Sequence, residues 1–217
     1  MLNLSNLFSS QYWINMLLSL PGILLAISFH EMAHGYAADA MGDPTPKLAG
    51  RLTVNPLKHI DPIGFISMMV FRFGWAKPVP VNPNNFKNRK KGMIVVALSG
   101  CLTNLLLGFL SLIVIYIVVP FANVTLVTIL QYIYMYNIFF AIFNLIPIPP
   151  LDGSQVLGEF LSPKAYMKYH DFSRYGMFIL LLLMITVVFG MIINPIFNGV
   201  DTLFKLILNP IFSMFWR

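Results

Sequence analysis

Four long apolar runs limit what this chain can fold into. Each is long enough to cross a bilayer, which takes about 20 residues, and they lie near residues 20–41, 93–119, 122–146 and 175–193. A fifth, shorter run follows Pro195 and reaches residue 216. Only 10% of the residues are charged, against about 25% in a soluble domain. Because backbone inside lipid must satisfy its own hydrogen bonds, these runs are expected to be membrane helices.

The expected fold is an all-α polytopic membrane protein with four to six transmembrane or membrane-embedded helices. We interpret residues 1–217 as one domain without a second soluble unit. Its predicted parts are an interfacial helix over 1–19, core spans over 20–41, 93–119 and 122–146, a loop over 147–174, and C-terminal spans over 175–217. The interfacial helix has a polar side and ends at the Ser19–Gly22 break. No Lys or Arg occurs before Lys47, so the basic region of a secretory signal is missing, and we interpret the N-terminal segment as mature protein. Its polar residues are Asn3, Asn6, Ser9 and Ser10.

The loop over residues 42–92 is rich in Pro and Asn and contains two extended-looking stretches, "GRLTVNP" and "AKPVPVNP". Between them, "IGFISMMVFRFGW" is too short for a full span once Arg72 is counted. We therefore predict a short β-rich loop with a dipping hairpin at the cytoplasmic membrane surface.

The distribution of cations predicts the orientation. Of the fourteen Lys and Arg residues, nine lie between the first and second spans and three between the third and fourth, while the opposite loops contain none. The positive-inside rule then places both basic loops in the cytoplasm and the N-terminus outside. Since the cations flank apolar helices, the net charge of +6 reports topology, and no nucleic-acid partner is expected. After Pro195, Asp201 and Lys205 are spaced to pair on one helix face.

The stretch "SFHEMAHGYA" places two histidines and a glutamate inside the first span. Residues i and i+4 share a helix face, so His30 and His34 point the same way. With Glu31 they form the His-Glu-x-x-His pattern, in which two imidazoles bind zinc and the glutamate acts as general base. Ionisable residues inside a span are expensive and mark functional sites. The alternative is a polar face that lines a protein interior or contacts lipid headgroups.

A catalytic zinc takes three protein ligands, and a single cysteine leaves only His and carboxylates to supply them. Asp152, in "NLIPIPPLDGSQVL", lies at the cytoplasmic end of the third span. The first span also runs inward and carries its histidines in its inner half, so topology brings the three side chains to one depth. The competing interpretation makes Asp152 a turn residue that caps the next helix.

Taken together, these motifs resemble the site-2 protease family of intramembrane zinc metalloproteases. The matching residues are "HEMAH", "GRLTVNP", "HIDPIGF", "GWAKPVPVNP", "GCLTNLLLG" and "FNLIPIPPLDG", and they are most similar to the compact prokaryotic branch without an appended sensor domain. The resemblance implies one zinc per chain on His30, His34 and Asp152, with Glu31 as catalytic base. It also implies that Asn144 donates to the substrate carbonyl and that Asn104 fills a polar position on the second core helix.

The implied activity is hydrolysis of a peptide bond in or near a transmembrane segment of a membrane protein substrate, in the plasma membrane of a prokaryote, with the active site toward the cytoplasm. Extended stretches near residues 50–55 and 77–82 are expected to pair with an unwound substrate as an added strand. The alternatives are a peptidase that acts on a protein terminus or a small lipid-soluble substrate, and a non-catalytic protein with a structural or lost metal site. The family often has Pro after the first glycine of its second core helix, where this chain has Cys101.

Several polar residues are open to a structural interpretation. Asn104 lies between Gly100 and Gly108, which permit close packing, so a bond between helices is as plausible as a role in the site. Asn144 lies beside the Pro-broken backbone that leads to Asp152, which favours a functional role. We interpret three further sets of residues as structural: His59 with Asp61, His170 with Asp171, and Cys101.

Overall fold

The computed structural model describes residues 9–71, 74–121 and 123–213. Asn3, Asn6, Arg72 and the end of the last apolar run lie outside the described residues. Within them the chain is helical, with α1 Ser10–Met41, α2 Thr45–Leu48, α3 Pro62–Phe71, α4 Arg89–Val118, α5 Val124–Asn144, α6 Asp152–Gly158, α7 Pro163–Ser173, α8 Gly176–Met184 and α9 Val187–Phe212. By length and composition, four of these helices are able to cross a membrane: α1, α4, α5 and α9.

The core of the molecule consists of α1, α4 and α5, which pack against one another. Gly22 of α1 lies so close to α5 that an added Cβ would be 2.8 Å from the carbonyl carbon and oxygen of Tyr132. Further along the same two helices, the rings of His30 and Phe140 are 6.2 Å apart, so α1 and α5 run in the same direction. His30 bonds to Asn104 and His34 to the carbonyl of Val96, so α4 runs in the opposite direction.

Helix α1 continues through the position where the sequence predicted a break. The side chain of Ser9 accepts from the N–H of Tyr12 at its start, and Gly42 ends it with φ 109°, a left-handed conformation that suits glycine. Pro21 lies inside the helix. The predicted separation of an interfacial helix from the first span at Ser19–Gly22 is therefore wrong. Proline is tolerated in membrane helices because neighbouring groups satisfy the freed carbonyl.

The loop between α1 and α4 is not β-rich, which corrects the prediction. Its described residues contain no strand, only an isolated antiparallel bridge between Ile60 and Ala76. The apolar run between the extended stretches instead forms α3, whose start is capped by Asp61 Oδ1 accepting from the N–H of Gly64 at 2.8 Å. The chain then returns so closely that a Cβ on Gly64 would collide with the backbone of Trp75. The predicted hairpin therefore consists of one helical arm, α3, and one extended arm. The extended arm has no partner strand among the described residues, so it forms no sheet.

The C-terminal region also differs from the prediction. The apolar run 175–193 is divided at Ile185 and Thr186, so α8 is too short to span a bilayer. The fourth candidate span is instead α9, which continues through Pro195 and Pro210. Its buried Ile193 and Leu208 belong to one core cluster with Leu112, Tyr134, Ile138 and Ile142.

Polar contacts also join α9 to α5. Lys205 Nζ lies 2.8 Å from Asp201 Oδ2, as their spacing predicts, and the hydroxyl of Tyr134 donates to Asp201 Oδ1 at 2.7 Å. The aspartate thus pairs within its own helix and with a neighbouring one.

Candidate metal centre

Two histidines of α1 present unprotonated nitrogens to one point. Asn104 donates both amide hydrogens elsewhere, to the carbonyl of Ala26 at 3.0 Å and to Asn137 Oδ1 at 2.9 Å. Its Oδ1 therefore accepts from Nδ1–H of His30, at 2.7 Å. His34 likewise donates from Nδ1 to the carbonyl of Val96 at 2.7 Å. Each neutral imidazole carries one proton, so both Nε2 atoms are left with a lone pair.

Asp152 brings the third ligand atom. Its Oδ2 is 3.0 Å from Nε2 of His30 and 3.2 Å from Nε2 of His34, and the two Nε2 atoms are 3.0 Å apart. Oδ2 is buried and accepts no hydrogen bond from the described residues. With both imidazoles neutral, three lone pairs converge on one point, and they repel one another unless a metal ion or a proton lies among them. Two imidazoles and a carboxylate suit zinc, whose tetrahedral ligands at about 2.0–2.1 Å would be about 3.3 Å apart.

The position of Asp152 bears on its two candidate roles, as a metal ligand and as a helix cap. It is the first residue of α6, but the N-cap position is Leu151, and no side chain caps this helix. The carboxylate is instead directed at the histidines. Among the described residues, His30, His34 and Asp152 form the one group of three such side chains with ligand atoms close enough to share an ion.

Behind His30 lies a polar chain that crosses the helical core. Asn104 of α4 and Asn137 of α5 are fully buried, and Asn137 in turn donates to the carbonyl of Ile133 at 2.8 Å. Asn104 thus joins three helices, as the structural interpretation predicts, and its bond to Nδ1 of His30 would fix the tautomer of that ring. Asn137 was missed by the sequence analysis. Its signal was a carboxamide two helical turns before Asn144 on the same face of an apolar span.

Glu31 is held from the loop between α1 and α4. One carboxylate oxygen, Oε2, accepts from the main-chain N–H of Val79 at 2.9 Å. Val79 lies in residues 77–82, a segment that we call the strap. The strap is therefore bound to the protein itself at the position where we expected it to pair with substrate. A main-chain donor carries no residue-type signal, so sequence patterns do not reveal this contact.

An elongated cavity of about 620 Å³ opens beside the centre. His30 and Glu31 lie in its wall, together with Asn144 from the end of α5 and Pro78 from the strap. One amide hydrogen of Asn144 bonds to the carbonyl of Phe140 at 3.0 Å, and the other remains for a ligand. Along α1 the lining residues extend from Glu31 to Tyr12, which is about 28 Å at the rise of an α-helix.

The remaining polar candidates lie apart from the three ligand atoms. His59 is fully buried and donates from Nε2 to the carbonyl of Thr53 at 2.8 Å. Asp61 caps α3, and His170 and Asp171 are in α7. Cys101 is a buried free thiol next to Gly100. These positions agree with the structural interpretation made from the sequence.

Comparisons with known proteins identify the family. The model of peptidase family M50 matches residues 116–187, which include Asp152. "Putative zinc metalloprotease YwhC" of Bacillus subtilis (strain 168) is 33% identical over 192 residues, which cover 85% of this chain and 88% of the relative. "Putative zinc metalloprotease Rip2" of Mycolicibacterium smegmatis (strain ATCC 700084 / mc(2)155) is 27% identical over 176 residues, or 78% of this chain and 67% of the relative. No solved structure matches the chain. The chain therefore belongs to peptidase family M50, the site-2 protease family, and is a metalloprotease.

Proposed function

We propose that this protein is a zinc-dependent intramembrane endopeptidase that hydrolyses a peptide bond in or near a transmembrane segment of a membrane protein. The observation that carries the proposal is the convergence of three ligand atoms, from His30, His34 and Asp152, beside a cavity that also contains Glu31. One zinc per chain would be held by these three residues. When bound, zinc lowers the pKa of its water ligand and polarises a carbonyl.

Glu31 is the proposed general base. Because the N–H of Val79 occupies Oε2, the other oxygen, Oε1, is left to accept the proton of the attacking water. The same oxygen then returns the proton to the leaving nitrogen. Asn144 is placed in the cavity wall with an unused amide hydrogen, and this donor would stabilise the developing oxyanion.

The shape of the cavity favours a long substrate. Its length of about 28 Å along α1 approaches the thickness of the hydrocarbon core, about 30 Å. Its apolar wall suits a chain segment that comes from the membrane. A small lipid-soluble molecule would fill only part of such a cleft. We therefore favour an endopeptidase over an enzyme that trims a protein terminus or acts on a small substrate.

The proposed location is the plasma membrane of a prokaryote, with the centre toward the cytoplasm. His34 lies in the C-terminal half of α1, and Asp152 follows the C-terminal end of α5. In the sequence, twelve of the fourteen cations lie between α1 and α4, in the first turn of α4, or between α5 and α8. Water would reach the centre from this side, where the polar loops and most of the cations lie.

A cleavage assay in proteoliposomes tests the proposal. The probes are a panel of reporter fusions, each with one transmembrane segment, and product masses locate the cut. We expect E31Q to keep zinc and lose cleavage, because glutamine has the size of glutamate but accepts no proton, and D152A to lose both. Cleavage retained by E31Q would contradict the role of Glu31. Products shortened only at a terminus would favour the trimming enzyme instead.

A further inference from the structure

The strap is fastened at both ends, and its middle contacts the proposed general base. At one end Arg51 donates from Nη2 to the carbonyl of Lys77 at 2.6 Å and from Nη1 to the carbonyl of Pro78 at 3.1 Å. At the other end the N–H of Asn82 donates to Asp43 Oδ2 at 2.7 Å. The N–H between these anchors, that of Val79, reaches Glu31.

Arg51 is an unusual residue to find in this position. It is 6% exposed, and burying a charge is costly. No carboxylate of the described residues lies in salt-bridge contact with it, although the charge of Glu31 attracts it. Its guanidinium fork instead binds two successive carbonyls, a planar geometry that lysine does not reproduce. Arg51 therefore fixes the orientation of two successive peptide groups of the strap.

His59 completes the support of Arg51. Its Nε2–H is bound to the carbonyl of Thr53, so Nδ1 is an acceptor and lies 3.4 Å from Nη2 of Arg51. The carbonyl of His59 also accepts from the N–H of Lys77 at 2.8 Å. The buried histidine thus holds both the guanidinium and the first residue of the strap.

The sequence of the strap makes the Val79 donor rigid. Pro78 and Pro80 fix their own φ angles near −65°, and a residue before proline is restricted to extended backbone. Val79 is itself buried, at 9% exposed. Its N–H therefore has one direction once the carbonyl of Pro78 is fixed by Arg51.

We propose that Arg51 is a positioning residue for Glu31. By holding the carbonyls of Lys77 and Pro78, it aims the N–H of Val79 at one oxygen of the Glu31 carboxylate and leaves the other oxygen facing the cavity. This inference rests on the proposed role of Glu31 as general base. Arg51 acts through the strap and touches neither substrate nor metal.

Amide exchange tests the contact without reference to activity. Pro78 and Pro80 carry no amide hydrogen, so fragment-resolved hydrogen exchange separates Val79 from its nearest exchanging neighbours. We expect R51K and E31A each to speed exchange at Val79 by at least about tenfold, because the donor loses its orientation or its acceptor. The control K58Q removes an exposed cation from the same loop and should exchange like wild type. Wild-type protection of Val79 in R51K would overturn the proposal.

Kinetics then test what the contact does, with the reporter that wild type cleaves fastest. We expect R51K to lower kcat about 10- to 100-fold, as is typical for groups that orient a reacting residue, while KM stays within about threefold and zinc content is unchanged. A second pair of variants avoids Arg51 altogether. V79P removes the N–H, whereas V79A removes the side chain and keeps the N–H, so kcat of V79P should be at least about tenfold below that of V79A.

The outcomes separate the two proposals. Loss of zinc in R51K, or equal kcat in V79P and V79A, would show that Arg51 and the strap serve the fold and not Glu31. If wild type cleaves no reporter, the proposed function fails, whereas exchange at Val79 still decides whether Arg51 maintains the contact with Glu31.

Discussion

At the scale of single residues, the metal centre depends on where two protons lie. His30 and His34 each donate a hydrogen bond from Nδ1–H to an acceptor on α4, so in the neutral imidazoles both Nε2 atoms carry a lone pair. A ligand histidine whose other nitrogen is bound in this way has a fixed ring and a fixed tautomer. The two acceptors differ, because the one for His34 is a main-chain carbonyl and only the one for His30 is a side chain. Ser99 Oγ also lies 3.4 Å from Nδ1 of His34, but the shorter bond of His34 is to the main chain, so substitution removes the nearest acceptor only for His30.

We predict that N104A weakens zinc binding by about 10- to 100-fold, because Nδ1 of His30 loses its acceptor. Competition with a chromogenic chelator measures the dissociation constant on the folded protein. The matched control is S111A on the same helix, whose hydroxyl bonds to the carbonyl of Leu107 and to no other described residue. Equal zinc affinity of N104A and wild type would show that Asn104 serves helix packing alone.

Gly100 forms the other side of the His30 site. A Cβ at this position would lie 2.6 Å from Cε1, 2.7 Å from Nδ1 and 2.8 Å from Nε2 of the His30 ring. Since the ring is bound on both nitrogens when zinc is present, we predict that G100A destabilises the zinc-bound protein by about 1–3 kcal/mol. G199A is the control, because no described residue outside its own helical turn comes within 4 Å of the added Cβ. Thermal unfolding of both variants with zinc gives the comparison, and a G100A curve that matches G199A would contradict the prediction.

How far the sequence predicts this site depends on the kind of group. The spacing of His30 and His34 follows from helical periodicity, and Asp152 follows from the direction of the spans. Arg51 and His59 lie in a motif of the family resemblance, but nothing in their spacing shows that one holds two carbonyls and the other is fully buried. The N–H of Val79 and the carbonyl of Val96 belong to the main chain, so their roles emerge only from the fold.

At the scale of elements, length and hydrophobicity predicted α4 and α5 to within a few residues but failed where a run is apolar throughout. Residues 175–193 contain no polar residue at the turn that divides α8 from α9, apart from Thr186. Pro21 and Pro195 looked like helix ends, yet each lies inside a helix. The strap looked like a strand because valine and proline favour extended backbone, but extended backbone becomes a strand only with a partner.

Asp43 joins two of these elements, the end of α1 and the end of the strap. Its carboxylate accepts from the N–H and hydroxyl of Thr45, the N–H of Asn82 and the amide of Asn85. Burial acts to raise the pKa of Asp43, but these hydrogen bonds outweigh it and hold the pKa below its ordinary value. A carboxyl group whose pKa is lower in the folded state stabilises the fold above its unfolded pKa, about 3.9, and loses that effect as the pH falls.

We therefore predict that D43N lowers the free energy of unfolding by about 2 kcal/mol at pH 7, since charged acceptors form the stronger hydrogen bonds. The difference between D43N and wild type should shrink as the pH falls below about 3.9, where the unfolded carboxyl takes up a proton, and should vanish below the lower pKa that Asp43 has in the folded state. Unfolding in detergent at a series of pH values measures this difference. D171N removes an exposed carboxylate from α7 and serves as control; a constant gap for D43N would count against the carboxylate as the anchor.

At the scale of the whole molecule, the centre lies toward the C-terminal ends of two helices that run in the same direction. α1 and α5 run in the same direction, and α4 returns between them, so His34 and Asp152 meet at the end that also carries the basic loops. α9 runs parallel to α4, because Phe109 packs on Phe204 and Tyr116 packs on Phe212. Four crossings therefore return the end of α9 to the side on which α1 begins. The predicted orientation places that side outside the cell.

Cysteine labelling in intact bacterial cells tests this orientation. The native Cys101 is 1% exposed, so wild type provides an unlabelled background. Val124 begins α5 at the predicted outer face and is 83% exposed, whereas Lys58 is exposed in the predicted cytoplasmic loop. We expect a membrane-impermeant maleimide to label V124C in intact cells and K58C only after the membrane is opened. The reverse pattern would place the centre toward the outside, and water and substrate would then have to reach it from there.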